Sequence, residues 1–276
     1  MYRVSKVLNN NGVIAINMEE NQEYVLLGKG IGFGKKVSQR FEKPQECTLY
    51  RLAQETERGD ARELVKEMEP EYLEIADEIL KEAQRVFGDS IDRGILFPLA
   101  DHISFAVARI RRKEQISNPL TEDIKVLFYS EFKVAEVLKK ILRERLQIEI
   151  DEHEVGYVAL HIHSAIGDER VSVAMQTARA VRECIDMIEK ATGRKIDVLS
   201  LSYNRLMNHM KYMVARASTG ENLHLDMNDY MLEQYPQAYE IAADICKSLE
   251  KTIGHKLDET EIGYLAMHIE RVYKNA

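Results

Sequence analysis

Apolar side chains in the first fifty residues come in short runs: Val4 to Leu8, Gly12 to Ile16, Glu23 to Leu27 and Cys47 to Tyr50. Runs of this length, rich in Val, Ile, Leu and Tyr and separated by turn residues, predict β-strands. Asn9-Asn10-Asn11-Gly12 lies between the first two, and the tolerance of Asn and Gly for positive φ predicts a hairpin there. An antiparallel sheet of about four strands is expected. So small a sheet is hard to stabilise alone, which makes dimerisation through it the natural expectation.

The pattern then changes. Gln54 to Glu69 is highly charged, with Gly59 inside it, and after Pro70 the apolar positions are Tyr72, Ile75, Ile79, Leu80, Ala83 and Phe87. Spacings of three and four predict an amphipathic helix with Pro in its first turn. Helical periodicity runs to the end, broken near Ser117-Asn118-Pro119, Gly167-Asp168-Glu169 and Ser218-Thr219-Gly220.

Sliding the chain against itself by 107 positions exposes a repeat. Asp151-Glu152-His153-Glu154-Val155-Gly156-Tyr157-Val158-Ala159-Leu160-His161-Ile162 falls on Asp258-Glu259-Thr260-Glu261-Ile262-Gly263-Tyr264-Leu265-Ala266-Met267-His268-Ile269, identical at eight of twelve positions. The same offset carries His102 onto His209 and Arg109 onto Arg216. Two homologous helical domains are therefore expected. Each holds two histidines 59 residues apart. Asp151 and Asp258 suit an N-cap, with Glu154 and Glu261 three residues on as an aspartate version of the capping box. Tyr157 and His161 then share one helical face, as do Tyr264 and His268, while Arg109 and Arg216 stay near their histidines at a spacing of seven. His163 maps onto Glu270, and Tyr157, Tyr264, Gly156 and Gly263 read as packing residues.

The net charge of −8 argues against unspecific nucleic-acid binding by the whole chain. Residues 1–56 carry eight Lys and Arg against six Asp and Glu, a net of +2 that leaves −10 for the remainder. Any nucleic-acid contact therefore belongs to the N-terminal piece. No apolar run reaches the roughly 18 residues that cross a bilayer, and the first residues lead into no signal-peptide core, so a cytoplasmic protein without membrane insertion is expected. Cys47, Cys184 and Cys246 are odd in number and far apart, which predicts buried, reduced thiols.

Asp101-His102, His161 and His163 could supply metal ligands, but no His-Glu-x-x-His helix is present, and Asn208 and Glu270 break the set in the second copy. No nucleophile elbow supports a hydrolytic triad. Gly28-Lys29-Gly30-Ile31-Gly32-Phe33-Gly34-Lys35-Lys36 lacks Walker spacing. Its alternate glycines instead offer approachable backbone amid positive charge, and a plain glycine-rich turn between strands is the simpler alternative. No metal or cofactor is expected.

Together, Lys6-Val7-Leu8-Asn9-Asn10-Asn11, this glycine-rich segment, Asp101-His102-Ile103 and Glu154-Val155-Gly156-Tyr157-Val158-Ala159-Leu160-His161 resemble the bacterial transcriptional antiterminators of sugar operons over essentially the whole chain. The resemblance implies a multidomain protein and not an enzyme: a small dimeric antiparallel β RNA-binding domain over 1–56, a linker over 57–66, and two all-α helical-bundle regulation domains over 67–170 and 171–276. It implies that the β-domain grips an RNA hairpin in the leader of a sugar-utilisation messenger and so prevents termination. RNA contacts would come from Lys6, Asn11, Gly28, Lys29, Gly30 and Phe33. The local chemistry agrees: Asn offers donors and acceptors to base edges, Lys meets phosphates, Gly admits backbone, and Phe can stack on an unpaired base. Relatives often carry Arg at the position of Lys29, and loss of a planar fork there bears on RNA preference.

The same resemblance makes His102, His161, His209 and His268 phosphate acceptors in the sugar phosphotransferase system, with Asp101, Arg109 and Arg216 as neighbours of the phosphate. Neutral imidazole is nucleophilic near pH 7, and its phosphoramidate passes phosphate on readily. A phosphoryl group brings roughly −1.5 to −2 charges, enough to shift a two-state assembly of subunits. The expected partners are the sugar permease (enzyme II), which in the family generally phosphorylates the first domain and inhibits, the histidine phosphocarrier, which in some members activates through the second, and a second copy of the chain. A DNA-binding activator with the same regulation domains would need a helix-turn-helix where these residues read as strands. A metal-dependent hydrolase of phosphorylated small molecules is the remaining alternative.

Overall fold

The computed structural model describes residues 1–276 apart from 53, 54, 57, 58, 63, 64, 66, 67, 89, 90, 115, 168, 169, 198, 199, 222, 224, 275 and 276. The N-terminal strands are β1 (Tyr2–Asn9), β2 (Gly12–Asn17), β3 (Gln22–Leu27), β4 (Arg40–Phe41) and β5 (Thr48–Arg51), joined in the order β4-β1-β2-β3-β5 with antiparallel neighbours. The expected hairpin is present, for a different reason from the one the sequence suggests. Neither Asn10 nor Asn11 takes a positive φ. Instead the Asn9 side-chain oxygen accepts from the Asn11 amide at 2.8 Å, and a register shift between Val7 and Asn9 lets Asn9 pair with Gly12. A side chain closing its own turn is the usual role of Asn, and here it makes left-handed backbone unnecessary.

Strand β4 escaped the hydrophobic pattern because two residues carry no periodicity. Its Phe41 nevertheless closes the small core of Val4, Val13, Ala15, Leu26, Ile31 and Cys47. In the charged stretch from Gln54 to Glu69, Glu55–Thr56 (β6) and Gly59–Asp60 (β7) pair as a two-stranded ribbon. Residues 57, 58, 63, 64 and 66 of the linker expected over 57–66 lie outside the described residues.

Helices follow: α1 (Pro70–Phe87), a 3-10 turn (Arg93–Ile95), α2 (Leu96–Arg111), α3 (Thr121–Leu127), α4 (Tyr129–Ala135), α5 (Val137–Leu146), α6 (Glu152–Gly167), α7 (Val171–Thr192), α8 (Leu201–Thr219), α9 (Asn228–Gln234), α10 (Pro236–Ile253) and α11 (Thr260–Lys274). Their ends obey local chemistry. Pro70 and Pro236 occupy first turns, where a missing N–H costs nothing. Ser200 caps α8 by accepting from Tyr203 N at 3.1 Å, and Gly220 ends that helix at φ 73°. Asp92 accepts from Gly94 N at 2.8 Å and so aims α2, whose buried face is Leu96, Phe97, Leu99, Ala100, Ile103, Ala106 and Val107.

The chain forms two compact units. One holds Met1–Asn118 and Ser130–Val171, so it contains the sheet together with α1, α2, α4, α5 and α6. The other holds Pro119–Tyr129 and Ser172–Ala276. Helix α3 thus belongs with the second half: the Tyr203 hydroxyl donates to Asp123 at 2.9 Å in a buried contact, and Lys211 donates to the Leu127 carbonyl at 3.0 Å. Cys47, Cys184 and Cys246 are free and buried, and burial pushes both Cys184 and Cys246 up to about 12. Among the described residues no helix is long and apolar enough to cross a membrane.

Candidate functional sites

In the first unit α2 brings His102 and Arg109 against α6, which carries Glu154, Tyr157 and His161. The rings of His102 and His161 have centroids 5.4 Å apart, and Tyr157 stands 5.6 Å from His102. Both histidines are buried, each 8% exposed. Glu154 joins the group from below: Arg109 Nη2 donates to its two oxygens at 2.9 and 3.2 Å, and its Oε2 lies 3.3 Å from His102 Nε2. The carboxylate is buried, which opposes ionisation, yet His102 and Arg109 hold it below the usual carboxylate range. Asp101, beside His102 on α2, is buried as well; its counterpart Asn208 is exposed.

The second unit repeats the arrangement on α8 and α11. His209 and His268 stack with centroids 4.7 Å apart and planes 25° from parallel, while Tyr264 stacks on His209 at 6.3 Å. Arg216 grips Glu261 as a fork, Nε to Oε1 at 2.6 Å and Nη2 to Oε2 at 2.9 Å, with His209 Nε2 3.7 Å from the same carboxylate. Burial first, then the positive charge of its neighbours, depresses His209 to about 3 and His268 to about 4. Both rings are therefore neutral near pH 7, the state in which an imidazole nitrogen keeps a lone pair.

Two roles assigned from sequence change here. Asp151 does cap α6, accepting from Glu154 N at 3.1 Å, and Asp258 caps α11 by accepting from Thr260 N at 2.9 Å. Glu154 and Glu261, however, turn their carboxylates to arginine and histidine, which is not the capping-box role. Tyr157 and Tyr264 lie against the histidine pairs, so they are part of each site as well as packing residues. The signal was available: Glu, Tyr and His at spacings of three and four share a helix face, and all three repeat at the 107-residue offset. His163 pairs instead with Glu131 at 2.9 Å.

On the sheet, the tip of the β1–β2 hairpin and the glycine-rich segment form one surface. Gly28 N donates to the Asn11 carbonyl at 2.9 Å, Gly32 N to the Asn10 carbonyl at 2.9 Å, and Gly30 N to the Asn11 side-chain oxygen at 3.0 Å. This brings Asn11, Gly28, Lys29, Gly30 and Phe33 together. Phe33 is 77% exposed, an uncommon position for so large an apolar ring, and Lys6, Lys29 and Lys36 are exposed too. The Asn11 side-chain NH2 donates to Glu74 of α1 at 3.1 Å, and Asn9 donates to the other oxygen of Glu74 at 2.6 Å. The sequence marks Asn9 only as a turn residue and gives no sign of Glu74.

Comparison with known proteins agrees with this division. The CAT RNA binding domain family matches residues 2–58, and the PRD domain family matches residues 77–165 and 182–272. The chain belongs to the family of transcription antiterminators built from a CAT RNA-binding domain and PRD domains. Proteins similar to it include Protein GlcT of Staphylococcus haemolyticus, 30% identical over 97% of this chain and 95% of that one. Transcription antiterminator LicT of Bacillus subtilis is 28% identical over 99% of this chain and all of that one. The crystal structure of GlcT CAT-PRDI superposes with a TM-score of 0.53 at 31% identity, covering 60% of this chain and 98% of that one. The antiterminator thus carries the small β-domain and helical regions expected of it, with one two-histidine cluster in each PRD match.

Proposed function

We propose that this antiterminator binds an RNA hairpin in the leader messenger of a sugar-utilisation operon, as a cytoplasmic homodimer, and that phosphorylation of His102, His161, His209 and His268 by the phosphotransferase system sets its activity. Residues 1–56 act as the RNA clamp, 57–66 as linker, and 67–170 and 171–276 as regulation domains. RNA is held by Lys6, Asn11, Gly28, Lys29, Gly30 and Phe33. The protein is a regulator and not an enzyme.

The observation that carries this reading is the twin cluster of paired imidazoles, each backed by an Arg–Glu pair, at the same 107-residue offset. Nearly buried imidazoles beside a cation suit phosphate acceptance: a ring nitrogen with a free lone pair is nucleophilic, and Arg109 or Arg216 lies on the same glutamate that the histidine faces. Phosphate added there introduces charge into a closely packed site, which biases the arrangement of subunits. The sugar permease would act on the first cluster to inhibit, and the histidine phosphocarrier on the second.

Incubating the full chain with phosphoenolpyruvate, enzyme I, the phosphocarrier and the permease's soluble domain should label these imidazoles. His102→Ala should leave RNA binding active without inducing sugar. If none of the four histidines takes label, the switch has no input and the reading fails.

A further inference from the structure

We propose that Glu154 and Glu261 are positioning residues that hold an N–H on Nε2 of His102 and His209, leaving Nδ1 as the nitrogen that accepts phosphate. This rests on the reading that these histidines are phosphorylated.

The geometry repeats at two independently built sites. In each, the nitrogen turned towards the glutamate is Nε2, at 3.3 Å in the first and 3.7 Å in the second. Both Nε2 atoms are fully buried and have no hydrogen-bond partner of good geometry. The glutamate carboxylate is the charged group that each Nε2 faces. Each carboxylate side chain is itself at most 5% exposed and is paired with its arginine, Glu154 with Arg109 and Glu261 with Arg216. A lone pair on Nε2 would face that anion and be repelled, whereas an N–H would be attracted. Since a neutral imidazole carries one N–H, placing it on Nε2 leaves the lone pair on Nδ1.

Access disfavours Nε2, because that atom is buried in both His102 and His209. A phosphoryl group entering at Nε2 would also have to displace the carboxylate and then sit beside it, anion against anion. At Nδ1 that conflict is removed and the glutamate becomes useful. The Nδ1 lone pair bonds to phosphorus of a phosphohistidine-bearing carrier, the carrier's N–P bond breaks, and its electron pair stays on the carrier imidazole. The accepting ring keeps its Nε2 proton and becomes cationic, and the ionised carboxylate behind it stabilises that charge, as a buried carboxylate does for the histidine of a serine-protease triad.

The test uses the full chain labelled with 15N-histidine, before and after treatment with phosphoenolpyruvate, enzyme I, the phosphocarrier and the permease's soluble domain. Two-bond proton–nitrogen correlations, assigned with His102→Gln and His209→Gln, should show the Nε2–H tautomer at both rings, then the phosphoryl group on Nδ1. Glu154→Ala should move the His102 proton towards Nδ1 and slow transfer to His102 by at least about tenfold. Glu154→Gln, whose amide oxygen can still accept, should restore the tautomer. A merely structural glutamate would move neither signal. An Nδ1–H tautomer in the wild type, phosphate on Nε2, or an unchanged tautomer in Glu154→Ala would overturn the proposal. Absence of any phosphate on the four rings, with the Nε2–H tautomer intact, would instead overturn the phosphorylation reading and leave the positioning role supported.

Discussion

Asn11 at the tip of the first hairpin donates its side-chain amide to Glu74 of α1 at 3.1 Å, with Asn9 donating to the other carboxylate oxygen at 2.6 Å. Glu74 is in turn 3.6 Å from Arg145. The amide that would meet an RNA base edge is thus already held by an acid of the helical part. Glu74→Ala should free it. A hydrogen bond to a charged group contributes about 1.5 kcal/mol, roughly a tenfold change in affinity, so leader RNA should bind the full-length variant about tenfold more tightly in a gel shift. Unchanged or weaker binding would show that this contact does not compete with RNA.

Gly32 supports the same surface by close approach. A Cβ there would press into the carbonyl oxygen of Asn9 and lie 3.2 Å from that of Gly12. Gly32→Ala should push the glycine-rich segment off the hairpin, breaking the Gly32-to-Asn10 bond and dispersing Gly28, Gly30 and Phe33. Loss of RNA binding is expected while the helical regions keep their circular dichroism. Wild-type affinity in this variant would mean that the segment is more adaptable than the packing indicates.

The stacked pair His209 and His268 makes stability depend on pH. The unfolded histidines take up protons near 6.5, while the folded ones hold out to about 3 and about 4. The unfolded state therefore binds more protons between these limits, so stability is complete above about 6.5 and falls with pH below it. Each displaced proton contributes a slope of up to about 1.4 kcal/mol per pH unit. Urea unfolding at pH 7, 6 and 5 should show the fall, and His209→Gln with His268→Gln should flatten it. A wild-type stability that stays level from pH 7 to 5 would contradict the burial of this pair.

Arg216 and Glu261 should behave as a unit. With side chains 15% and 2% exposed, removing either leaves a buried charge without its partner, which costs about 3 to 5 kcal/mol. Arg216→Ala and Glu261→Ala should each destabilise the protein by roughly that much, and the double variant by clearly less than the sum of the two. Additive effects would mean that the fork contributes little.

The larger design was legible because it is written in periodicity. Strand alternation, helical spacing and the 107-residue offset each reflect a face repeatedly turned to a core, so the β-domain, the helices and the four histidines could be placed from sequence. Contacts between elements far apart in the chain could not. Nothing local in Glu74 or Asn9 indicates that they meet, and Glu154 looked like half of a capping box because its distance from Asp151 is right for that role too. Arg40–Phe41 is too short to show a period. The hairpin was anticipated, but the side-chain bond from Asn9 that replaces positive φ depends on a rotamer.

Helix α3 sits in the sequence between α2 and α4 yet is sheltered by the later half of the protein, through Tyr203 and Lys211. The chain therefore passes from one unit to the other at residues 118–119, 129–130 and 171–172. A fragment beginning at Ser172 would therefore lack helix α3 and leave the Tyr203 hydroxyl without its Asp123 acceptor.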